Sequence, residues 1–339
     1  MGLHETANAK ATDLRFWIVQ SCIKRYPGVI DELNRHNASV SRIVSFSGLA
    51  SAMIELIRTD VFLSTVESTT ARHKLPYLLT KLANAVGLST FTMQHGFENV
   101  GLTYRDEVHG AEVKFVAQTV LTWGPTKELP DWVGADTREK CVAVGCPKKI
   151  IIQKNEPQIK PGERPVIGVF DNLHWHRYGK SYVSKFLDHL EETASNRKDV
   201  RFVLKSHPES IRNRSKEFTA RLCSIENLEV ADLLEANLFA PTTLWLLQHA
   251  LGIITTPSTI ALDGALAGVP IAVTRYDLNL DYYSPLKLLD NLEDWYSFLD
   301  DLTESQAHKR LKLNGELFLK RVIVPGNPAE KIFDMMTRH

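Results

Sequence analysis

Short apolar runs alternate with stretches of helical periodicity along most of this chain, the pattern of a parallel α/β architecture. Two such series appear. In the first, residues 42–46 (RIVSF), 60–64 (DVFLS), 89–93 (STFTM), 120–123 (VLTW) and 141–144 (CVAV) read as strands. Helical patterns fill Gly48 to Ile57 and Lys74 to Val86, and in the latter Leu75, Leu78, Leu79, Leu82 and Val86 share one face. In the second series the strands are Pro165 to Phe170, Arg201 to Lys205, Gly252 to Thr255 and Val269 to Val273. Helices are predicted over Ser181 to Thr193, Thr242 to Leu251, Ala261 to Ala267 and much of Glu293 to Leu319. The stretch 153–164 (QKNEPQIKPGER) is polar, holds two prolines and a glycine, and has no period, so it reads as a linker. The expected organisation is therefore a Rossmann-like domain over 1–152, the linker, and a second Rossmann-like domain over 165–319. The tail 320–339 would pack back on the first domain.

Length and composition agree with this division. At 339 residues the chain has room for two compact domains facing an interdomain cleft, and 44% apolar with 24% charged residues is an ordinary globular balance. Forty basic residues offset forty acidic ones, which argues against a general electrostatic grip on nucleic acid or an anionic membrane. The four cysteines, Cys22, Cys141, Cys146 and Cys223, form no CxxC pair and no zinc-finger spacing, so free thiols and no metal site are expected. No window offers the roughly 20 uninterrupted apolar residues of a membrane span. A cytoplasmic protein is expected, with membrane association through its basic, apolar last segment at most peripheral.

Neither half carries GxGxxG or GxxxxGK[ST], so the usual dinucleotide and ATP fingerprints are absent. In open α/β sheets ligands sit beyond the carboxyl ends of the strands, and five segments place polar residues there. Gln94-His95-Gly96-Phe97-Glu98 follows a strand. His95 has the near-neutral titration that suits a general base, with Glu98 as its partner or as the acid/base itself, and a loop-bracing histidine is the plain alternative. Asp171-Asn172 follows the first strand of the second half, where Asp171 could act as nucleophile or as a cap. The nearby His174 and His176 read as a solvated loop. In Lys205-Ser206-His207-Pro208 a cation and an imidazole suit a phosphate, and Pro208 is read as fixing a turn that presents them without continuing into a helix. Ser258-Thr259 stand where a strand meets a helix, an anion site or a plain N-cap, with Asp263 one turn on. Arg275 to Tyr283, including Tyr276 and Asp277, could line a sugar or acceptor pocket or form a surface loop.

The order of these segments is more specific than any one of them. Gln94-His95-Gly96, Trp123-Gly124, Gly145-Cys146-Pro147, Lys205-Ser206-His207-Pro208, Ser258-Thr259 with Asp263, and Gly268-Val269-Pro270 together resemble the bacterial GT-B transferases of surface polysaccharides that use cytidine-nucleotide donors. These include polysialyltransferases, Kdo transferases and CDP-glycerol glycerophosphotransferases. The resemblance covers about residues 60 to 285. It implies a GT-B fold and a nucleotide-sugar donor held by Lys205, His207, Pro208, Ser258, Thr259 and Asp263. A glycan or lipid-linked glycan would be the acceptor, with neither cofactor nor metal. Gly168-Val169-Phe170-Asp171-Asn172 is more like the retaining β-Kdo transferases, which implies Asp171 as nucleophile and Glu98 or His95 handling the acceptor proton. Gln94, Asn172, Tyr276 and Asp277 would then touch substrate. The stretch Thr255 to Tyr282 looks like the CDP-glycerol enzymes, which would make the chain a polyol-phosphate transferase. A sugar-nucleotide epimerase on the same scaffold is a further alternative.

Overall fold

The computed structural model describes residues 15–19, 27–36, 38–43, 60–65, 67–69, 74–105, 113–148, 163–213, 216–231 and 242–337. They divide into two compact units, 15–105 and 113–148 together with 321–337 in the first, and 163–320 in the second. The helical pattern over 48–57, residues 44–46 of the first expected strand and residues 153–162 of the expected linker lie outside the described residues.

The first unit runs β1 (Arg15–Val19), α1 (Pro27–Arg35), β2 (Ser39–Ile43), β3 (Val61–Thr65), α2 (Lys74–Ala85), β4 (Ser89–Met93), β5 (Thr119–Thr122), α3 (Ala135–Lys140) and β6 (Cys141–Ala143). Its six strands pair in parallel in the order β2-β1-β3-β4-β5-β6. β3 is buried along its whole length, as a central strand covered on both faces must be. The strand expected over 42–46 begins earlier, at Ser39, and β1 and α1 fall where the sequence offered no element.

The second unit comprises β7 (Val166–Asp171), α4 (Lys180–Asn196), β8 (Arg201–Ser206), α5 (Pro208–Asn213), α6 (Lys216–Cys223), β9 (Leu228–Val230), α7 (Thr243–His249), β10 (Gly252–Thr255), α8 (Thr259–Ala267), β11 (Ile271–Thr274), β12 (Lys287–Leu289), α9 (Leu292–Thr303) and α10 (Ser305–Val322). Its sheet is also six-stranded and parallel, in the order β12-β11-β10-β7-β8-β9. That is the doubly wound arrangement in which the chain leaves the centre in one direction, returns, and builds out in the other. On one face Ile167, Val169, Phe202, Leu204 and Ile254 pack against Tyr182, Phe186 and Leu190 of α4 and Trp295, Phe298 and Leu302 of α9. The four-residue spacing of the α4 contacts is what buries one stripe of that helix.

On the opposite face α8 lies close to the sheet. A Cβ at Gly264 would stand 2.8 Å from Ile271 Cδ1, so any larger residue would have to displace that side chain. The helix ends at Gly268, whose φ of 72° is the left-handed conformation of a helix C-cap. Chain and first unit meet again at the carboxyl end: the Val324 amide donates to the Trp123 carbonyl at 2.9 Å, and α11 (Pro328–Thr337) packs on α1.

Candidate functional site

In the second unit the strand order reverses between β7 and β10, and crevices for ligands form at such switch points, beyond the carboxyl ends of the strands. The loops that leave β7 and β10 are tied together there. Thr256, fully buried, takes the Asn172 backbone N–H on its hydroxyl at 3.1 Å and donates to Asn172 Oδ1 at 2.6 Å. Asn172 Nδ2 donates to the Pro257 carbonyl at 3.0 Å, and the Tyr178 hydroxyl reaches Asn172 Oδ1 at 2.7 Å. The bonds from Asn172 to Thr256 and Pro257 span 84 and 85 residues of sequence. They fix the turn that starts α8, whose N-cap is Ser258: its Oγ accepts the Ile260 N–H at 3.2 Å and lies 3.1 Å from Thr255 Oγ1. The positive end of the α8 dipole thus opens at the switch point, with half-buried Thr259 as its first residue and Asp263 one turn further.

β8 lies beside β7 and brings the second segment. Lys205 pairs in register with Phe170, and Phe170 with Thr255. Alternation along the strands puts Lys205 on the same sheet face as Ile253 and Ile271, the face on which α8 packs. Ser206 and Asp171 pair on the other face. His207, exposed, follows at once. Its backbone N–H donates to the Asp171 carbonyl at 2.8 Å, and its ring stacks on that of His174 with centroids 4.2 Å apart and planes at 20°.

Several expected roles change. Pro208 starts a helix, α5, because proline is well suited to a first helical position, where its missing N–H costs nothing. Asp171 is 6% exposed; one carboxylate oxygen accepts from the Ser206 hydroxyl and the other from the Leu173 N–H at 3.3 Å, so the group also ties β8 to the loop after β7. Asn172 uses its amide to tie the loops after β7 and β10 together. Tyr276, a candidate for a pocket or a surface loop, packs in the core; its φ is 47°, burial raises its phenol, and His189 Nδ1 lies 3.1 Å from the hydroxyl. Asp277 sits on the surface, 3.4 Å from Lys185 Nζ.

In the first unit, His95 and Glu98 follow β4, and both are half-buried. Gln94 is 2% exposed and structural: Nε2 donates to the Gly96 carbonyl and Oε1 accepts from the Trp123 N–H, both at 2.9 Å. Asn99 Oδ1 accepts the His95 backbone N–H at 3.1 Å, and Thr103 takes the Asn99 N–H at 2.8 Å. The loop that carries His95 and Glu98 is thus internally braced.

Among the described residues no group of His, Cys, Asp and Glu has the arrangement of a metal site. An open groove of about 740 Å³ lies elsewhere in the second unit, lined by Pro165, Arg201, Leu228, Trp245 and His249. These residues stand at the amino ends of β7, β8 and β9, the wrong end of the sheet for the switch-point site. No helix among the described residues is long and apolar enough to cross a membrane.

Thr256, Tyr178, Ser210 and His174 also belong to this cluster; Thr256 lies in the stretch from Thr255 that looks like the CDP-glycerol enzymes and His174 in His-x-His, whereas Tyr178 and Ser210 carry no local signal in the sequence.

No family model matches the sequence, and no curated protein matches it. Solved structures do. A putative UDP-N-acetylglucosamine 2-epimerase from Listeria monocytogenes is 12% identical with a TM-score of 0.64, over 97% of each chain. The UDP-GlcNAc 2-epimerase of Methanocaldococcus jannaschii, solved with UDP-GlcNAc and UDP, is 12% identical with a TM-score of 0.60, over 96% of this chain and 100% of that one. The wall teichoic acid polymerase TagF is 11% identical with a TM-score of 0.57, over 96% of this chain and 88% of the other. Identities this low speak for fold alone: the chain has the GT-B fold, two Rossmann-like α/β domains, as the order of its motifs implied.

Proposed function

We propose that the chain is a glycosyltransferase of the GT-B type that holds a nucleotide-activated donor in its second unit, with the donor phosphate at the N-terminus of α8. The observation that carries this is the switch point. There the Asn172–Thr256–Pro257 bonds set the start of α8, while β8 supplies Lys205 on the face where α8 packs and His207 at its tip. Backbone N–H groups, a helix dipole, a cation and an imidazole are the groups that stabilise a leaving phosphate without a metal. The order of motifs supports a cytidine nucleotide. The leading donor is CMP-linked Kdo or a related ulosonic acid, and the acceptor a bacterial surface glycan. His95 or Glu98 would take the acceptor proton. Asp171, whose oxygens also take the Ser206 hydroxyl and the Leu173 N–H, would be the nucleophile if the transfer retains configuration.

The similarity to TagF favours a second reading, transfer of a polyol phosphate from CDP-glycerol. The similarity to two UDP-GlcNAc 2-epimerases favours a third, acceptor-independent conversion of a UDP-sugar. Incubation with CMP-Kdo, CDP-glycerol or UDP-GlcNAc in EDTA, with and without glycan acceptor, separates them. Acceptor-dependent release of CMP is the expected result. Turnover of CDP-glycerol, or conversion of UDP-GlcNAc without acceptor, would replace it with the corresponding alternative.

A further inference from the structure

We propose that His174 is a positioning residue of the nucleotide site, holding the His207 ring as a neutral Nε2–H donor aimed at a phosphate oxygen. The inference rests on the reading of 205–208 as part of the donor-phosphate site.

His207 Nδ1 accepts the backbone N–H of Glu209 at 3.2 Å. A ring nitrogen that accepts carries no proton, so the neutral imidazole bears its hydrogen on Nε2, the far side of the ring. An exposed histidine ordinarily turns about its last side-chain bond and exchanges tautomers. Here the His174 ring lies against it at 4.2 Å and nearly parallel. His174 is itself pinned from α5. Its backbone N–H donates to Ser210 Oγ at 3.2 Å, and its Nδ1 lies 3.2 Å from the same oxygen. Ser210 is 7% exposed, so this anchor is buried.

The contacts close a circuit. The β7 loop carries His174, His174 is fixed to Ser210 on α5, α5 offers the Glu209 N–H that selects the His207 tautomer, and the His207 ring returns to stack on His174. The His207 backbone bond to the Asp171 carbonyl joins the same two loops a second time. What the circuit presents is a single oriented N–H, chemistry suited to an anionic oxygen of a nucleoside mono- or diphosphate, with the charge supplied by Lys205 and α8.

Imidazole ¹⁵N spectra of histidine-labelled protein read the tautomer directly, with the His207 signals assigned by their loss in His207→Gln. In the free wild type and in His174→Phe, which keeps a flat ring for the stack, His207 is expected as one Nε2–H tautomer. In His174→Ala its two nitrogens should move toward averaged shifts. The dissociation constants of CMP and CDP should rise about tenfold in His174→Ala, the worth of one hydrogen bond to a charged oxygen, and return to within about twofold of wild type in His174→Phe. An unchanged His207 tautomer in His174→Ala overturns the proposal, as does a His174→Phe variant that binds no better than His174→Ala. If the wild type binds neither nucleotide, the donor-site reading fails, while the tautomer spectra still decide whether His174 positions His207.

Discussion

Asn172 is the residue through which the fold and the proposed site are most tightly coupled, and replacing it should damage both. Asn172→Ala removes two acceptor contacts, from Tyr178 Oη and Thr256 Oγ1, and one donor contact, to the Pro257 carbonyl. A buried hydrogen bond contributes a net of about 0.5–1.5 kcal/mol. Two partners keep other bonds: Tyr178 Oη also reaches the Pro257 carbonyl at 3.1 Å, and the Thr256 hydroxyl still takes the backbone N–H of residue 172. The loss of stability should therefore be about 1.5–3 kcal/mol, the lower part of the summed range. Because the same bonds set the start of α8, nucleotide affinity should fall by about tenfold or more. Asn172→Asp sharpens the argument. It keeps the shape and the acceptors but turns an acceptor toward the Pro257 carbonyl, so near neutral pH it should be at least as damaging as alanine. Protonation of the new carboxyl in acid would restore a donor and recover part of the loss. Urea unfolding at pH 7.5 and 5, with nucleotide titration by calorimetry, measures both quantities. A near-neutral Asn172→Asp at pH 7.5 would refute the assignment of Asn172 as a bridge between the two loops.

Further outcomes follow from other residues. Glu67 is fully buried and accepts the Val116 N–H at 2.8 Å and the Ala117 N–H at 3.2 Å. Glu67→Ala strands both donors and should cost roughly 2–5 kcal/mol in urea unfolding. Burial raises the Glu67 carboxyl above its ordinary 4.5, against the pull of those two N–H groups and Lys140. Its contribution to stability is therefore full below that value and is lost as pH rises through the raised one, so wild type should gain on Glu67→Gln as pH falls toward its ordinary value; the opposite slope contradicts this. Burial also pushes the Cys141 thiol up to about 12, whereas Cys223 is exposed, so peptide mapping after brief maleimide treatment at pH 8 should find Cys223 modified and Cys141 intact. Intact-mass measurement with CMP-Kdo and no acceptor should show a covalent adduct that maps to Asp171 if transfer retains configuration; an adduct that persists in Asp171→Ala would exclude that residue as nucleophile.

Several helices and strands announced themselves in the sequence, by a repeated apolar face or by a short strand-forming run bounded by turn residues. Lys74 to Val86 showed a helical face and forms α2 over all but its last residue; 89–93 and 252–255 coincide with β4 and β10. Residues 15–19 form β1, but its four-residue apolar run, Phe16 to Val19, cannot be told from part of a helix by periodicity alone. β9 and β12 have three residues each, too few for any pattern, and exist because a neighbouring strand offers its edge. The site divides in the same way. Ser258 and His207 stood out because each follows a strand in a motif with local logic. The bracing partners of Asn172, Gln94 and Tyr276 had no local signal because they lie far away in sequence, at Thr256, Trp123 and His189, and only the folded sheets bring those atoms within reach.

The central claim is that a nucleotide phosphate binds where the loops after β7, β8 and β10 meet. Hydrogen exchange of the protein with and without saturating CMP, CDP or UDP, in EDTA, tests it most directly. The account predicts slowed exchange at residues 172–174, 205–210 and 256–262 with at least one of these nucleotides. Unchanged exchange there, or protection confined to the groove around Arg201, Leu228 and Trp245, would contradict it.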